Sequence, residues 1–146
     1  MTIALINGPN LDMLGVRDPK IYGSATLNEL YARMDNAALE LGAELIKFQS
    51  NSEGGLIDFI HSLRGRCDGI IINAGAYSHY SFALRDALEC MELPVIEVHI
   101  SNVYRREEFR RKDVIAPVCA GVIAGLGFAG YSLALSRLAS GEPFNV

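Results

Sequence analysis

The segment TIALINGPN, residues 2–10, is an apolar run that ends abruptly at a glycine and a proline. Continuous apolar runs of this length, ended by turn residues, are typical of strands that are buried on both faces of a parallel sheet. Four further segments of the chain favour strands. The predicted strands are residues 2–7, 43–49, 69–73, 94–100 and 117–124.

Segments with helical patterns separate these strands. Thr26 and Glu29 have the spacing of a capping box, the apolar residues after them recur with a helical period, and Gly42 supplies a C-cap. Strands that alternate with helices form parallel sheets with right-handed crossovers. The pattern therefore predicts one α/β domain over residues 1–146, a flavodoxin-like, doubly wound, five-stranded parallel sheet. The predicted helices are residues 26–41, 53–63, 81–91, 107–112 (short and charged) and 127–139.

The composition argues against several classes of partner. A formal net charge of -4 supplies hardly any basic surface for phosphate neutralisation, so we expect a small-molecule ligand and no nucleic acid. The three cysteines, Cys67, Cys90 and Cys119, are odd in number and lack C-x-x-C spacing, which argues against a disulfide framework or a structural zinc site. A reducing, cytoplasmic location fits this pattern, and the first residues lack the basic and small-residue signature of secretion.

Residues 114–136 carry no charged side chain and are long enough for a membrane span. Pro117 and the glycines favour a strand followed by a helix instead, so we expect no membrane association. Residues 125–130 within this segment match G-x-G-x-x-G. A dinucleotide site also needs a further strand and an acidic residue about 20 positions on, which the remaining residues do not supply. Close packing of the last helix on its strand is the simpler interpretation.

Polar side chains gather where the predicted strands end. Strand one ends at Asn7 with Asn10 beyond it, strand three ends at Asn73 with His79 beyond it, and strand four ends in residues 97–102, EVHISN. In open α/β sheets the ligand binds in the crevice at the carboxyl ends of the strands, so we expect the functional site there. Asn73 taken alone could equally serve a turn.

The connection after the first strand is unusually long. Residues 8–25 show no clear periodicity, and such loops in compact domains are usually lids or binding loops. This one contains Arg17 and Tyr22. A charged stretch, residues 105–112, is by default a solvated helical face, although one of its arginines could hold an anionic or polyhydroxylated ligand. The sequence does not indicate which arginine.

Several kinds of chemistry compete for these residues. His79, His99, Glu97 and Asp86 could form a mixed nitrogen and oxygen metal shell, but their spacing does not favour one. Glu97 and His99 lie two apart on one strand face, which suits a carboxylate that orients an imidazole for proton transfer. No lysine ends an apolar strand, which argues against a Schiff base, and no G-x-S-x-G elbow accompanies Ser101.

Segments 6–11 (INGPNL), 73–75 (NAG) and 97–102 (EVHISN) resemble the signatures of type II dehydroquinases. The resemblance extends along nearly the whole chain and implies a dehydration of 3-dehydroquinate to 3-dehydroshikimate without metal or cofactor, with a lid over about residues 10–25. Further segments resemble the family in the same order: 17–19 (RDP), 21–23 (IYG), 49–51 (QSN), 83–87 (ALRDA) and 106–110 (REEFR).

By this resemblance, Tyr22 would be the base that takes a proton from C2, and His99 the acid that protonates the departing C1 hydroxyl. Arg17 would be the lid arginine that stabilises the phenolate, because a phenol is mostly protonated at pH 7 without such help. Glu97 would orient His99, and Asn10 would position the tyrosine or its water. The implied substrate-binding residues are Asn73, near the developing enolate, and His79, Asp86, Ile100, Ser101 and Arg110.

The resemblance also implies a quaternary structure. Members of the family assemble as dodecamers, tetramers of trimers, and Asp86 would reach the site of a neighbouring subunit. The chain departs from common family residues at Asp18, Tyr80, Tyr104 and Arg105, none of which is a proposed catalytic group. A non-catalytic, flavodoxin-like ligand-binding module is the competing hypothesis, because a fold alone does not determine a function. The sequence does not distinguish a biosynthetic from a quinate-degrading role.

Overall fold

A computed structural model describes residues 1–144 and contains a five-stranded sheet with helices on both faces. All neighbouring strands are parallel, in the order β2-β1-β3-β4-β5. The predicted flavodoxin-like, doubly wound single domain is confirmed. The strands are β1 (Thr2–Asn7), β2 (Glu44–Gln49), β3 (Gly69–Asn73), β4 (Val95–His99) and β5 (Gly121–Ala124).

The described residues also contain α-helices. α2 begins with the predicted capping box, since Oγ1 of Thr26 accepts from the Glu29 N–H and the Glu29 carboxylate accepts from the Thr26 N–H. α1 is a four-residue helix within residues 10–25, a segment called the 10–25 loop below, where the sequence pattern predicted no helix. The helices are α1 (Pro19–Tyr22), α2 (Leu27–Glu40), α3 (Glu53–Ser62), α4 (Phe82–Glu89) and α5 (Ala129–Ala139).

The central strands are buried on both faces, as their apolar character predicted. Side chains alternate along β3, so that Ile70 and Ile72 pack in a core with residues of α3 and α4. Ile71, between them, packs in a second core with residues of α2 and α5. All three isoleucines are fully buried. The two cores hold the sheet as the middle layer of three.

Two predicted elements differ from the structure. The last strand begins at Gly121 rather than at residue 117, because Pro117 lacks an N–H for the strand ladder and lies instead in a 3-10 turn, Ala116–Val118. The predicted charged helix at residues 107–112 is a shorter 3-10 turn, Glu108–Arg111. The other predicted boundaries agree with the structure to within about two residues.

The uncharged segment 114–136 is divided between β5 and α5, as predicted. No helix in the described part of the chain is both long enough and apolar enough to cross a membrane. Gly130, in the G-x-G-x-x-G pattern, lies where α5 crosses the sheet, and a methyl group there would be 3.2 Å from Ile123 and 3.3 Å from Val98. Close packing therefore accounts for this glycine.

The strand order reverses between β1 and β3. β2 lies on one side of β1 and β3 on the other, so the chain leaves β1 in one direction and later returns on its opposite side. Asn7 and Asn73 are paired at the carboxyl ends of β1 and β3. A reversal of this kind opens a crevice above the strand ends, which is the place predicted for the ligand.

Candidate active site

A cavity opens above the carboxyl ends of the central strands and is bounded on one side by the 10–25 loop. Of the residues singled out from the sequence, Glu97 lies behind His99 without lining the cavity, and Asp86 is exposed on α4 outside it. Arg106, which was not singled out, also lines the cavity. The remaining candidates line it together: Asn10, Arg17, Tyr22, Asn73, His79, His99, Ile100, Ser101 and Arg110.

His99, the last residue of β4, is held by carboxylates. Its Nε2 lies 2.7 Å from Oε1 of Glu97 and 3.6 Å from Oδ2 of Asp113. Burial alone would lower the pKa of His99, but the carboxylates of Asp113 and Glu97 outweigh burial and raise the pKa to about 9. The imidazole is therefore protonated at neutral pH. Because Nε2 faces the carboxylates, Nδ1 is the nitrogen left to donate to a ligand.

Glu97 is fully buried on β4 and points to the same face of the strand as His99. Burial raises its pKa to about 7, against the opposing effect of the His99 hydrogen bond. Its Oε2 has no hydrogen-bond partner among residues 1–144. A carboxyl group in this position fixes the orientation of the imidazole ring, since the Nε2–H has one well-placed acceptor.

The positions of these side chains can be compared with the metal shell suggested from the sequence, which was His79, His99, Glu97 and Asp86. Asp86 does not line the cavity, and the groups that come together within residues 1–144 are Glu97, His99 and Asp113, whose potential ligand atoms lie within 4.8 Å of one another. Two ligands of one tetrahedral zinc ion lie roughly 3.3 Å apart. Nε2 of His99 and Oε1 of Glu97 are separated by 2.7 Å, a hydrogen-bond distance. This geometry suits a shared proton better than a metal ion.

Tyr22, the last residue of α1, lies beside two guanidinium groups. Nη1 of Arg106 donates to the Tyr22 hydroxyl at 2.6 Å and to Oγ of Ser101 at 3.2 Å. The guanidinium carbons of Arg17 and Arg106 each lie 5.3 Å from the centroid of the tyrosine ring. The Tyr22 hydroxyl is therefore held by a charged donor at the wall of the cavity.

Arg106 is the site residue that the sequence did not identify. Its side chain is 12% exposed, whereas Arg105 and Arg111 in the same charged stretch are exposed. Arg110, the arginine implied by the resemblance, also lines the cavity. The signal that could have identified Arg106 was its position in the sequence. It follows a single 3-10 turn after the end of β4, where the site was expected.

Asn73, at the end of β3, both supports a turn and lines the cavity. Its Oδ1 accepts from the Gly75 N–H at 3.1 Å, and its Nδ2 donates to the Tyr131 hydroxyl at 2.8 Å. The Tyr131 hydroxyl in turn donates to Oδ1 of Asn7 at 2.8 Å. These bonds fix the orientation of the amide. An amide nitrogen has two N–H donors, so one is left for a ligand.

His79 is oriented by the main chain. Its Nδ1 lies 2.8 Å from the carbonyl oxygen of Lys112, and because a carbonyl only accepts, Nδ1 carries the hydrogen. Burial lowers the pKa of His79 more than the bond to Lys112 raises it. The ring is therefore neutral at pH 7, and it lies 6.3 Å from the His99 ring. Its Nε2 is left as an acceptor for a ligand hydroxyl.

Asn10 occupies the first turn of the 10–25 loop. Its φ of 66° is in the left-handed region, which asparagine tolerates better than most residues. Its N–H donates to Oδ1 of Asn51 at 2.8 Å, which ties the start of the loop to the residues that follow β2. The side chain is thereby held at the edge of the cavity, on the same loop as Tyr22.

Comparison with known proteins agrees with this architecture. The family model described as dehydroquinase class II matches residues 1–139. The 3-dehydroquinate dehydratase of Roseiflexus castenholzii is 56% identical over 138 residues, 94% of this chain and 88% of that protein. The protein of the same name from Bacillus licheniformis is 54% identical over 92% of each chain. A type II dehydroquinase structure from Butyrivibrio crossotus has a TM-score of 0.93 at 46% identity, with 94% of this chain and 97% of that chain covered.

Proposed function

The chain belongs to the dehydroquinase class II family, and from this membership we propose that it is a 3-dehydroquinate dehydratase, a hydro-lyase that forms 3-dehydroshikimate and water. One observation carries the proposal at the level of the site. A single cavity holds a tyrosine whose hydroxyl meets a guanidinium and a histidine whose ring meets carboxylates. The first pair suits a base and the second an acid, the two groups that a dehydration needs.

Tyr22 is the base of the proposed reaction. Its phenolate takes the proton from C2 of 3-dehydroquinate, and the electrons of that C–H bond move onto the C3 carbonyl oxygen to give an enolate. Arg106 and Arg17 stabilise the phenolate before the transfer, and a guanidinium stays charged throughout.

His99 is the acid. As the enolate electrons return, the C1–oxygen bond breaks, Nδ1 of His99 gives its proton to the departing hydroxyl, and water leaves on the face opposite to Tyr22. The elimination is anti. Tyr22 then holds the proton from C2 and His99 is neutral, so one proton returns from Tyr22 to His99 through solvent before the next turnover. Glu97 keeps the ring in orientation.

The remaining cavity residues bind the substrate. The second N–H of Asn73, with an ordered water, stabilises the negative charge that develops on the C3 oxygen. His79 accepts from a substrate hydroxyl through Nε2. Arg110 and the main chain of Ile100 and Ser101 bind the remaining hydroxyls and the carboxylate, for which a guanidinium fork and backbone N–H groups are well suited. Asn10 positions Tyr22 or its water.

The proposal extends to assembly and location. The 10–25 loop closes over the substrate as a lid. Asp86, which is exposed on α4 and does not line the cavity of its own chain, reaches the site of a neighbouring subunit in a dodecamer built as a tetramer of trimers. The enzyme works in the cytoplasm and needs no cofactor.

The test is direct detection of the enone product by its ultraviolet absorbance. Purified protein is assayed with 3-dehydroquinate after treatment with a chelator and, separately, with borohydride. Tyr22→Phe is assayed beside Tyr104→Phe, a matched control in which an exposed tyrosine outside the cavity lining loses its hydroxyl. We expect turnover that survives both treatments, is kept in Tyr104→Phe, and falls at least about 100-fold in Tyr22→Phe.

Two results would contradict the proposal. Normal turnover in Tyr22→Phe would make Tyr22 a packing residue and would remove the phenolate mechanism. No turnover in correctly assembled wild-type protein would favour the competing hypothesis, a non-catalytic ligand-binding module. Gel filtration and circular dichroism of each preparation separate these results from a failure of folding or assembly.

A further inference from the structure

Asp113 is a carboxylate beside the acid of the site that the proposed reaction leaves without a role. It follows the 3-10 turn Glu108–Arg111 and belongs to neither the sheet nor a helix. Its Oδ2 lies 3.6 Å from Nε2 of His99, the same nitrogen that meets Glu97 at 2.7 Å. Two carboxyl groups therefore converge on one imidazole nitrogen.

The two carboxyl groups have opposite surroundings. Asp113 is partly exposed, and its Oδ1 accepts from the N–H groups of Ile115 at 3.1 Å and Ala116 at 3.0 Å. Glu97 is fully buried, and its Oε2 meets no donor among the described residues. Backbone donors favour the ionised form of a carboxyl group, whereas burial without donors favours the protonated form. Asp113 is therefore the better placed of the two to hold the negative charge.

We propose that Asp113 is a positioning residue for the acid: it supplies the negative charge that keeps the transferable proton on His99, while Glu97 sets the orientation of the ring. This inference rests on the proposed function, in which His99 must be protonated when the C1–oxygen bond breaks. It divides between two residues a task that the sequence assigned to Glu97 alone. Asp113 acts through His99 and does not line the cavity.

The charges around the cluster agree with this division. Burial raises the pKa of Glu97, whereas the nearby His99 ring and the hydrogen bond from the Ala116 N–H outweigh burial and lower the pKa of Asp113. The other ionisable groups nearby are His79, whose pKa is lowered by burial, and the thiol of Cys119, whose pKa is raised by burial and by both carboxyl groups. Asp113 is therefore the carboxyl group of this cluster whose surroundings favour the ionised form.

Three variants separate charge from structure. Asp113→Asn keeps an oxygen that can accept from the Ile115 and Ala116 N–H groups and removes the negative charge. Asp113→Ser, whose hydroxyl can accept from the same N–H groups, is a second variant in case the first folds poorly. Glu108→Gln is the control, because it removes an exposed carboxylate from the preceding turn. Thermal melting of each variant establishes that it is folded.

Two measurements are made on each variant. The first is the pH profile of kcat and KM with 3-dehydroquinate. In this profile the loss of the proton from His99 sets the alkaline limb. The second is the titration of the His99 ring followed by nitrogen-15 NMR of histidine-labelled protein without substrate. Removing the carboxylate charge makes the imidazolium easier to deprotonate, so both curves should move to lower pH.

We expect the alkaline limb of kcat and the His99 titration to move about one pH unit lower in Asp113→Asn and Asp113→Ser, with KM within about twofold of wild type. Glu108→Gln should leave both curves in place. A folded Asp113→Asn with unchanged curves, or with only a lower melting temperature, would overturn the inference. If wild-type protein shows no turnover, the proposed function fails, and the NMR titration still decides whether Asp113 holds the His99 proton.

Discussion

The two halves of the site are built in opposite ways. The half that contains the proposed acid, called the acid half, lies on β4, between two neighbouring strands, where Glu97 and His99 are buried and joined by a 2.7 Å hydrogen bond. The half that contains the proposed base, called the base half, lies on the 10–25 loop, where Tyr22 ends a four-residue helix that contains no buried residue. Within the described residues, the Tyr22 hydroxyl is bonded to Arg106, which comes from a different part of the chain.

This difference shows that the two proposed reactive groups are positioned in different ways. The sheet fixes His99 and Glu97 before any substrate arrives, and Asp113 approaches the same ring from the segment after Glu108–Arg111, so the state of the proposed acid depends on short-range contacts. The proposed base lies on the loop, and its hydroxyl is bonded to a guanidinium group from a distant part of the chain. Substitutions in the acid half should therefore alter contacts that exist without substrate. Substitutions in the base half should alter how the 10–25 loop packs against the rest of the domain.

The largest effect that tests this comparison is expected for His99→Gln. Without its acid, kcat should fall by about 100-fold to 10,000-fold, because the departing hydroxyl is no longer protonated. The base half is untouched, so Tyr22 should still remove the C2 proton reversibly. Exchange of the C2 hydrogen with solvent, followed by proton NMR in heavy water, should persist in His99→Gln and disappear in Tyr22→Phe. Loss of exchange in His99→Gln would mean that the two halves do not act separately.

A smaller effect is expected for Arg106→Gln, with Arg105→Gln as the control. The glutamine can still donate to the Tyr22 hydroxyl but carries no charge, so the phenolate is less favoured. We expect kcat/KM to fall about 10-fold to 100-fold at pH 7. Arg105 is exposed and outside the cavity lining, and its substitution should leave kcat/KM unchanged. Equal effects in both variants would show that the general positive charge of this stretch matters, rather than the bond to Tyr22.

The smallest effect is expected for the hydrogen bonds beneath the carboxyl ends of β1 and β3. Tyr131→Phe removes a fully buried hydroxyl that joins Asn73 to Asn7, so both amides lose a partner in the core. We expect the free energy of unfolding in urea to fall by about 1–3 kcal/mol. Tyr77→Phe, whose hydroxyl donates to the main-chain oxygen of exposed Asn51, should change it by less than about 0.5 kcal/mol. A Tyr131→Phe protein as stable as Tyr77→Phe would show that these contacts do not stabilise the amides at the ends of β1 and β3.

The sequence predicted the acid side of this comparison better than the base side. The order of strands and helices, and the placing of Asn73, Glu97 and His99 at strand ends, follow from apolar periodicity, which reports burial directly. Arg106 and Asp113 lie in or beside a charged stretch, where a solvated surface and a buried contact have the same composition. Only the three-dimensional path of the chain after β4 distinguishes them.

Two local features could also not be predicted from the pattern of apolar residues. α1 has four residues, which is too short to show a helical period. The hydrogen bond of its Tyr22 joins a residue far away in the sequence, so no local pattern predicts that bond. The late start of β5 depended on Pro117, whose missing N–H outweighed an otherwise strand-like run. Both cases were decided by backbone hydrogen bonding rather than by side-chain character.

The bond between Arg106 and Tyr22 joins residues that are 84 positions apart. A chain emerging from the ribosome would therefore present the tyrosine long before its partner arginine had been synthesised. Arg17, only five positions away, would travel with it, but the direct hydrogen bond would have to wait for β3 and β4 to be in place. The proposed base thus acquires its charged neighbour only in the finished domain, and a truncated or partly folded chain would lack the bond between Arg106 and Tyr22.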